Sequence, residues 1–353
     1  MKVLLVRLGA LGDIIHAVPA ALALAAIPGT EIDWLVDPRH HAVLNLFDLP
    51  VRPVALSGGG ASAPPAFAPP ASSPAGILDS IRTIRALRQR AYDVAIDLQG
   101  LIKSAVLARL SGARRVIGFA RHALREPSAT IMYTETVDPG TYGHVIQKNV
   151  ALVSTLAKGA SDTAGPKPGL RIAMPLKART ASPATAAAPY AIINPGAGWP
   201  NKRWAADRFG AIAKRLRAKH GLAVVVTWGP GEEPLARAVV ESSSGAAQEA
   251  PPTTLPELLA LIRGAQLMIA GDTGPLHLAA AASTPIVSMF GPTDPKRNGP
   301  WASDDVSVSE FHHCICHHKR ECSRATRCLD DISVDDVTRA VAVRLDRAGA
   351  AKR

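Results

Sequence analysis

Short apolar runs alternate with longer stretches whose apolar residues recur at helical spacing through the first half of the chain. The short runs, which predict buried strands, occupy residues 2–7, 32–36 and 93–98. The stretches with helical spacing occupy residues 13–26, 77–90 and 102–110. Strands that alternate with helices predict an α/β domain with a parallel sheet and helices on both of its faces.

The same alternation begins again in the second half of the chain. Four further strands are predicted at residues 190–194, 222–227, 266–270 and 286–290. Helices are predicted near residues 205–220, 232–241, 254–264, 274–282 and 335–347. We therefore predict two Rossmann-like, doubly wound domains, residues 1–165 and 190–333, with a Pro-, Gly- and Ala-rich linker at 166–189. We expect a helix at about 335–350 to return to the first domain, and a low-complexity loop at 57–76.

Length and charge narrow the possible functions. A chain of 353 residues is long enough for two domains. Its net charge of +11 favours an anionic partner, although ordinary solvated arginines explain the charge equally well. No nucleic-acid motif occurs and no aromatic residues interleave with the basic ones, so we expect no nucleic-acid partner. No signal peptide and no apolar run of about 18 residues is evident, which predicts a cytoplasmic protein.

A glycine loop with a carboxylate lies between the first predicted strand and helix. Gly9 and Gly12 permit a tight turn, and Asp13 follows at the predicted start of the helix. The spacing differs from the G-x-G-x-x-G fingerprint, which weakens a dinucleotide-binding interpretation and a nicotinamide-dependent oxidoreductase. Asp13 is a candidate catalytic base, but acidic residues in the first turn of a helix are also common for structural reasons.

Polar loops follow successive predicted strands in the second half. Because such strand ends meet at one sheet edge, these loops predict a phosphate- and sugar-binding site. The loops contain Ala197, Gly198 and Lys202; Glu232 and Glu233; Asp272, Thr273, Gly274 and His277; and residues 291–294. Lys202 supplies a positive charge, and either Glu232 or Glu233 is placed to accept hydrogen bonds from a ribose. Helix capping alone also explains Asp272 and Thr273.

Together these residues resemble glycosyltransferase family 9, and within it the heptosyltransferase I branch. The matching pieces run in family order: Gly12 to His16, residues 92–104, Arg125-Glu-Pro127, Lys202-Arg-Trp204, Trp228-Gly229, Asp272-Thr-Gly274 with His277, and residues 291–294. The resemblance implies a GT-B fold and an inverting transfer of heptose from ADP-heptose to the Kdo residue of Kdo-lipid A. Another family member, such as heptosyltransferase II, is the alternative.

The resemblance also implies the roles of individual residues. Asp13 would be the general base. The donor-site residues would be Ala197, Gly198, Lys202, Glu232, Glu233, Thr253, Asp272, Thr273, Gly274 and His277. Acceptor contacts are expected from Gly12, Lys103, Arg121 and Arg125, and an anionic inner-membrane surface is an expected partner for the basic residues. No cofactor is expected, and the absence of an Asp-x-Asp triplet argues against a metal-bridged diphosphate.

Four cysteines near the end of the chain do not fit the transfer reaction. Cys314, Cys316, Cys322 and Cys328 have the spacing C-x-C-x5-C-x5-C, which is not a standard zinc-ribbon pattern. A structural zinc ion is one interpretation, and reduced thiols in a packed loop are the other. A protein that binds an anionic glycolipid without catalysis is the remaining functional alternative, and it would not require Asp13.

Overall fold

A computed structural model describes residues 1–56, 74–141, 143–157, 172–177, 188–317 and 319–350. The chain divides into two compact units, Met1–Pro166 and Lys167–Arg353. Most of the predicted loop at 57–76 and of the predicted linker at 166–189 lies outside the described residues.

The N-terminal unit contains one parallel sheet. Its strands are β1 (Lys2–Val6), β2 (Glu31–Val36), β3 (Val51–Ala55), β4 (Val94–Asp97), β5 (Arg115–Phe119) and β6 (Glu135–Val137). Its helices are α1 (Leu11–Ala25), α2 (His41–Leu44), α3 (Pro74–Gln89), α4 (Ile102–Leu110) and α5 (Val145–Ser154). The strands pair in the order β3-β2-β1-β4-β5-β6.

Helices cover the two faces of this sheet, as the alternating sequence predicts. On one face, Leu4 and Val6 of β1 pack in a cluster that includes Leu87 of α3 and Ala108 of α4. Helix α1 contacts α5, and the Asn149 side chain donates a hydrogen bond to the backbone oxygen of His16. Because both faces are covered, the central strands β1 and β4 are almost completely buried, which explains their continuous apolar runs.

The C-terminal unit repeats the architecture. Its strands are β7 (Tyr190–Asn194), β8 (Ala223–Val226), β9 (Ala247–Glu249), β10 (Leu267–Gly271), β11 (Ile286–Phe290) and β12 (Val306–Ser309). Its helices are α6 (Ala206–His220), α7 (Glu233–Ser242), α8 (Leu255–Gly264), α9 (Gly274–Ala281), α10 (Pro295–Asn298) and α11 (Val334–Ala350). The strands pair in parallel in the order β12-β11-β10-β7-β8-β9.

The two sheets share one topology. Counted from the first strand of each unit, both follow the order 3-2-1-4-5-6 of a doubly wound dinucleotide-type fold. The order reverses between β1 and β4 in one sheet and between β7 and β10 in the other. Ligands of such sheets bind outside the carboxyl ends of the strands at this reversal. A ligand site is therefore expected at the loops that follow β1, β4, β7 and β10.

The last helix differs from our expectation. We expected it to return to the first domain, but Val337, Ala340 and Val341 of α11 are buried in the core of the C-terminal unit. There the helix packs against β11, β12 and α6. It is therefore part of the layer of helices on the second sheet.

No helix in the described ranges combines the length and the apolar character that crossing a lipid bilayer requires.

Candidate active site

Asp13 lies in the first turn of α1, at the reversal of strand order in the N-terminal sheet. Its Oδ1 pairs with Arg7 Nη2 at 2.6 Å, and its Oδ2 accepts a 3.2 Å hydrogen bond from the backbone N–H of Ala10. The Asp13 side chain is 40% exposed, whereas that of Arg7 is 7% exposed. A buried cation thus orients a carboxylate that solvent or a substrate can still reach.

The loop after β4 supports the loop that carries Asp13. Arg7 Nη1 donates to the backbone oxygen of Leu98 at 2.6 Å, and the backbone N–H of Leu8 donates to Gln99 Oε1 at 2.8 Å. Two backbone N–H groups of the β4 loop, those of Gln99 and Gly100, in turn donate to the fully buried Asp97. The β1 and β4 loops are therefore joined side by side at the switch point.

Asp97 is a positioning group that the sequence alone did not reveal. Its carboxylate also accepts hydrogen bonds from the hydroxyls of Ser104 and Tyr133 at 2.9 and 2.8 Å. Burial raises the pKa of Asp97, although these four donors act in the opposite direction. Asp97 belongs to the motif at residues 92–104, but only the structure shows that its carboxylate holds the loop next to the one that carries Asp13.

His40 is a second residue near Asp13 that the sequence did not reveal. It follows β2, and a Cβ placed on Gly9 would come within 2.5 Å of the His40 ring. Glycine at position 9 therefore permits the close approach of this imidazole to the β1 loop. Burial lowers the pKa of His40 and outweighs the opposite influence of Asp37 and Asp13.

The predicted acceptor residues lie at the same edge of the sheet. Lys103 is in the first turn of α4, after β4, and Arg121 and Arg125 follow the neighbouring strand β5. All three are exposed, and none has an ion-pair partner in the part of the chain that the structure describes. Gly12, by contrast, is buried in the first turn of α1.

Asp272 is the centre of the candidate donor site in the C-terminal unit. Its Oδ2 pairs with Lys202 Nζ at 2.5 Å and accepts a 2.8 Å hydrogen bond from Thr293 Oγ1. Its Oδ1 lies 3.3 Å from His277 Nε2 and accepts a 2.8 Å hydrogen bond from Asn298. Both oxygens are thus engaged, and the carboxylate joins the loops that follow β7, β10 and β11.

The charge of Asp272 is strongly favoured where it lies. Burial would raise the pKa of this carboxyl, but hydrogen bonds from His277 and Lys202 and the positive charge of Lys202 lower the pKa well below its usual range. The sequence predicted Lys202, Asp272 and His277 as neighbours. It placed the loop at 291–294 at the same sheet edge, but it did not identify Thr293 or Asn298 as partners of Asp272.

Lys202 lies at the end of a 3-10 turn, Pro200–Lys202, that follows β7. Its Nζ lies 4.5 Å from the ring centroid of Trp199, in addition to its ion pair with Asp272. A carboxylate and an aromatic face therefore fix the ammonium group, and the side chain is only 15% exposed.

The structure separates the two glutamates at the start of α7. Glu232 turns toward the β7 loop, where a Cβ on Gly196 would come within 2.0 Å of its Oε2, and this oxygen accepts a hydrogen bond from the Gly229 N–H. Glu233 instead forms an ion pair with Arg237 one turn along α7. Only Glu232 is thus directed to the loop that carries Lys202.

The remaining donor candidates occupy the same sheet edge with different exposures. Ala197 is buried and its backbone oxygen accepts a hydrogen bond from Arg203, whereas Gly198 is exposed and faces open space. Thr253 is half-buried in the loop after β9. Thr273 caps α9 by accepting a 3.4 Å bond from Leu276 N–H, and Gly274 is the first residue of that helix. These loops all follow strands of the second sheet, although the strand before Thr253, β9, was not predicted.

The four cysteines come together between β12 and α11. Cys314, Cys316 and Cys328 are buried, and Cys322 packs against them. Their side chains form one small cluster. Across the described ranges, no group of three or more His, Cys, Asp and Glu side chains has an arrangement that could hold a metal ion.

Comparison with known proteins identifies the family to which this fold and these loops belong. The model of glycosyltransferase family 9 (heptosyltransferase) matches residues 80–327, more than two thirds of the chain. The chain belongs to glycosyltransferase family 9. It is 29% identical to lipopolysaccharide heptosyltransferase 1 of Pseudomonas aeruginosa over 342 residues, which cover 92% of this chain and 88% of that protein.

Two solved structures of the family show the same fold. Escherichia coli heptosyltransferase WaaC with ADP has a TM-score of 0.73 at 24% identity, covering 98% of this chain and all of that one. Escherichia coli ADP-heptose lipopolysaccharide heptosyltransferase II also has a TM-score of 0.73, at 20% identity, covering 99% and 100% of the two chains. The predicted family, the α/β fold of GT-B type with two Rossmann-like domains, and glycosyltransferase activity are confirmed.

Proposed function

We propose that this member of family 9 is an inverting glycosyltransferase that moves heptose from ADP-heptose to the Kdo residue of Kdo-lipid A. The similarity to lipopolysaccharide heptosyltransferase 1 supports heptose transfer in synthesis of the lipopolysaccharide core. A related structure, WaaC, is known with ADP-2-deoxy-2-fluoro heptose, which supports ADP-heptose as the donor. The Kdo acceptor rests on the sequence resemblance and on the basic residues near Asp13.

The observation that carries this proposal is the geometry of Asp13. Arg7 holds Oδ1, while Oδ2 has, among the described residues, only the 3.2 Å bond from the Ala10 N–H, so Oδ2 is the oxygen left to accept a proton. As base, Asp13 removes the proton of the acceptor hydroxyl while that oxygen bonds to the anomeric carbon of heptose. The bond from this carbon to the diphosphate oxygen breaks in the same step, and ADP leaves with the electron pair.

The donor is assigned to the polar edge of the C-terminal sheet. Lys202 supplies positive charge to the diphosphate, and the N–H groups of Thr273 and Gly274 at the start of α9 supply hydrogen bonds. Asp272 does not bind the sugar directly in this account, because its four protein partners already engage both oxygens. It holds Lys202 and the β11 loop in place. Glu232, rather than Glu233, is assigned to the ribose.

The acceptor and its membrane are assigned to the basic edge of the N-terminal unit. Lys103, Arg121 and Arg125 are exposed there, and lipid A phosphates and Kdo carboxylates are anionic groups that such residues bind. An anionic membrane surface attracts basic residues with about 1 kcal/mol each. We therefore propose that the protein works in the cytoplasm, peripherally bound to the inner membrane.

A transfer assay with two acceptors tests this function. Purified protein is incubated with ADP-heptose and either Kdo-lipid A or an acceptor that already carries one heptose, and products are analysed by mass spectrometry and NMR. We expect one heptose on Kdo-lipid A with inverted anomeric configuration. Transfer only to the heptosylated acceptor would show that the assigned acceptor is wrong, while the family assignment would stand. Transfer to neither acceptor, with ADP-heptose intact, would contradict the proposal.

A further inference from the structure

One helical layer of the N-terminal unit exposes large apolar side chains to solvent. Ile81 of α3 is 55% exposed, Ile102 of α4 is 45% exposed, and Ile131, which follows β5 in the chain, is 76% exposed. Helices α1 and α5 of the opposite layer, which the structure describes in full, contain no large apolar side chain of comparable exposure. Single exposed isoleucines are ordinary, but three on one layer indicate a surface that a partner covers.

Helices α3 and α4 lie side by side in this layer. Leu87 of α3 and Ala108 of α4 pack in the same cluster on one face of the N-terminal sheet. Near the ends of the two helices, Arg88 Nε donates a 3.0 Å hydrogen bond to the backbone oxygen of Leu110. The two helices therefore share one buried side and one side that faces solvent.

A 3-10 segment, Pro127–Met132, extends the layer beyond α4. The segment packs against α4, and Glu126, immediately before it, accepts a 2.7 Å hydrogen bond from the Ile102 N–H through Oε2. Within the segment Ala129 is fully buried, whereas Ile131 points outward into solvent. The solvent-facing side of α4 thus continues onto this segment.

The same layer is rich in cations and nearly free of acids. Residues 81–90 contain four arginines, residues 101–110 contain one lysine and one arginine, and neither stretch contains an acid. The only acid in residues 121–132 is Glu126, which is engaged by the Ile102 N–H. The exposed cations of α3 and α4 are Arg82, Arg85, Arg88, Lys103 and Arg109.

Helical spacing places apolar and basic side chains on the same side of each helix. On α3, Ile81 and Arg85 are four residues apart, and on α4, Ile102 and Arg109 are seven residues apart. All four side chains are exposed. Apolar side chains flanked by lysine and arginine are typical of helices that lie on a membrane surface.

The outer surface of α3, α4 and the Pro127–Met132 segment is called here the α3–α4 face. We propose that the α3–α4 face docks on an anionic lipid bilayer and that its three isoleucines enter the boundary between head groups and acyl chains. The surrounding arginines and lysine complement the negative charge of the lipid phosphates. The proposal rests on the membrane location in the proposed function, and it adds the surface and the apolar contacts that hold the protein there. Ile102 begins α4 at the sheet edge where Asp13 also lies, so docking brings lipid head groups near the candidate base.

Binding to vesicles without donor or acceptor tests the α3–α4 face. The full chain is mixed with vesicles of phosphatidylcholine, alone or with phosphatidylglycerol, and bound protein is measured by flotation. We expect binding only to the anionic vesicles, and less of it as salt rises. Thermal unfolding of every variant is measured in parallel to show that it is folded.

Substitutions at one isoleucine test its insertion in both directions. Ile131→Ser is expected to lower the partition coefficient about fivefold to tenfold, because less apolar surface leaves water. Ile131→Trp is expected to raise it, because tryptophan is favoured at the membrane interface. The matched controls are the same two changes at Ile315, which is 67% exposed in the C-terminal unit, and they are expected to leave binding unchanged.

Two double variants separate the α3–α4 face from the net charge of the chain. Arg85→Gln with Arg109→Gln removes two cations of the face, whereas Arg217→Gln with Lys219→Gln removes two exposed cations of α6. We expect the first double variant to lose about tenfold or more in partition coefficient and the second to lose little.

Four results would overturn the docking face. They are no binding to anionic vesicles, equal binding to neutral vesicles, equal effects of the variants in the two units, and a dimer without vesicle binding that Ile131→Ser dissociates. The last of these would assign the face to a second copy of the chain. The transfer assay with acceptor dispersed in detergent needs no bilayer, so its failure would contradict the proposed function while vesicle binding still decides the face.

Discussion

The guanidinium of Arg7 and the carboxylate of Asp13 form a 2.6 Å ion pair between the end of β1 and the first turn of α1. Arg7 is buried and is itself fixed by the backbone oxygen of Leu98 in the next loop. The pair therefore orients the candidate base relative to the sheet. Asp13 Oδ2 takes no part in the ion pair and accepts a 3.2 Å hydrogen bond from the Ala10 N–H.

This relationship predicts that Arg7 acts through Asp13. Replacing it, as in Arg7→Met, removes the partner that orients the carboxylate, and misplacing a catalytic group by about 1 Å costs roughly a hundredfold in rate. We expect kcat to fall about tenfold to hundredfold while the KM for ADP-heptose stays unchanged. Arg7→Lys keeps a cation at this place and is expected to recover part of kcat.

Steady-state kinetics with thermal unfolding as a parallel measurement checks the Arg7 prediction. Arg39→Ala is a matched control, because Arg39 forms an exposed ion pair with Asp37 one loop away. A wild-type kcat in Arg7→Met would contradict the positioning role, as would an equal loss of activity in Arg39→Ala.

The two adjacent glutamates give a second prediction. Glu232→Gln removes the charge that lies against the β7 loop, whereas Glu233→Gln removes only a surface ion pair with Arg237. A hydrogen bond to a charged group contributes about 1.5–3 kcal/mol, so we expect ADP affinity to fall about tenfold or more in Glu232→Gln. Glu233→Gln is expected to bind ADP like the wild type. Calorimetry measures the ADP affinity of both variants. Weaker ADP binding in Glu233→Gln, with unchanged binding in Glu232→Gln, would assign the ribose contact to Glu233 instead.

Two glycines of the same loop give a third prediction. A Cβ on Gly196 would come within 2.0 Å of Glu232 Oε2, whereas a Cβ on Gly198 would meet no atom within 4 Å. Gly196→Ala must displace the Glu232 carboxylate, which is the flexible end of a half-buried side chain and can swing away from the loop. We expect weaker ADP binding for Gly196→Ala with a Tm close to that of the wild type, and unchanged ADP binding for Gly198→Ala. Calorimetry with both variants measures this, and equal ADP affinity in the two variants would contradict the placement of Glu232 against the β7 loop.

Asp272 gives a prediction about pH. Its folded-state pKa is lowered below the ordinary value of 3.8, so the ionised carboxylate stabilises the fold at pH values above 3.8. That stabilisation is lost as pH falls below 3.8 toward the folded-state pKa. Breaking a buried ion pair costs about 3–5 kcal/mol, so we expect Asp272→Asn to lower the free energy of unfolding by about this much near pH 7.

Urea unfolding of the wild type and Asp272→Asn between pH 7 and pH 3 measures this effect. The difference in unfolding free energy between the two proteins is expected to shrink as pH falls below 3.8. A difference that stays constant over the whole range would contradict an ionised, paired Asp272.

Much of the fold could be predicted from the sequence because central strands and amphipathic helices carry strong periodic signals. The runs at β1, β4, β7, β10 and β11 are continuous and apolar, since helices cover both faces of these strands. Edge strands are harder to predict from the sequence. Strands β6 and β9 have three residues each, and β3 contains Pro53, which its edge position tolerates. None of the three was predicted.

Only some contacts of the candidate site leave a signal in the sequence. Residues of one loop, such as Asp272 and His277, can be predicted to lie together from their spacing in the sequence. Asn298 contacts Asp272 from a helix that follows the next strand, so the spacing gives no sign of this contact. The choice between Glu232 and Glu233 depended on which side chain packs on Gly196, and spacing alone does not decide between neighbours in a helix. Asp13 and Arg7 both belong to the glycine loop after β1, but only the structure shows that their side chains form an ion pair.

The most direct test of the central claim is the single-turnover rate of Asp13→Asn with ADP-heptose and Kdo-lipid A. Asparagine keeps the shape of the side chain and cannot accept the proton, and a positioned base contributes about 10²–10⁴ in rate. We predict a fall of that size, with ADP affinity close to that of the wild type. Transfer at near the wild-type rate by Asp13→Asn would contradict the assignment of Asp13 as the base.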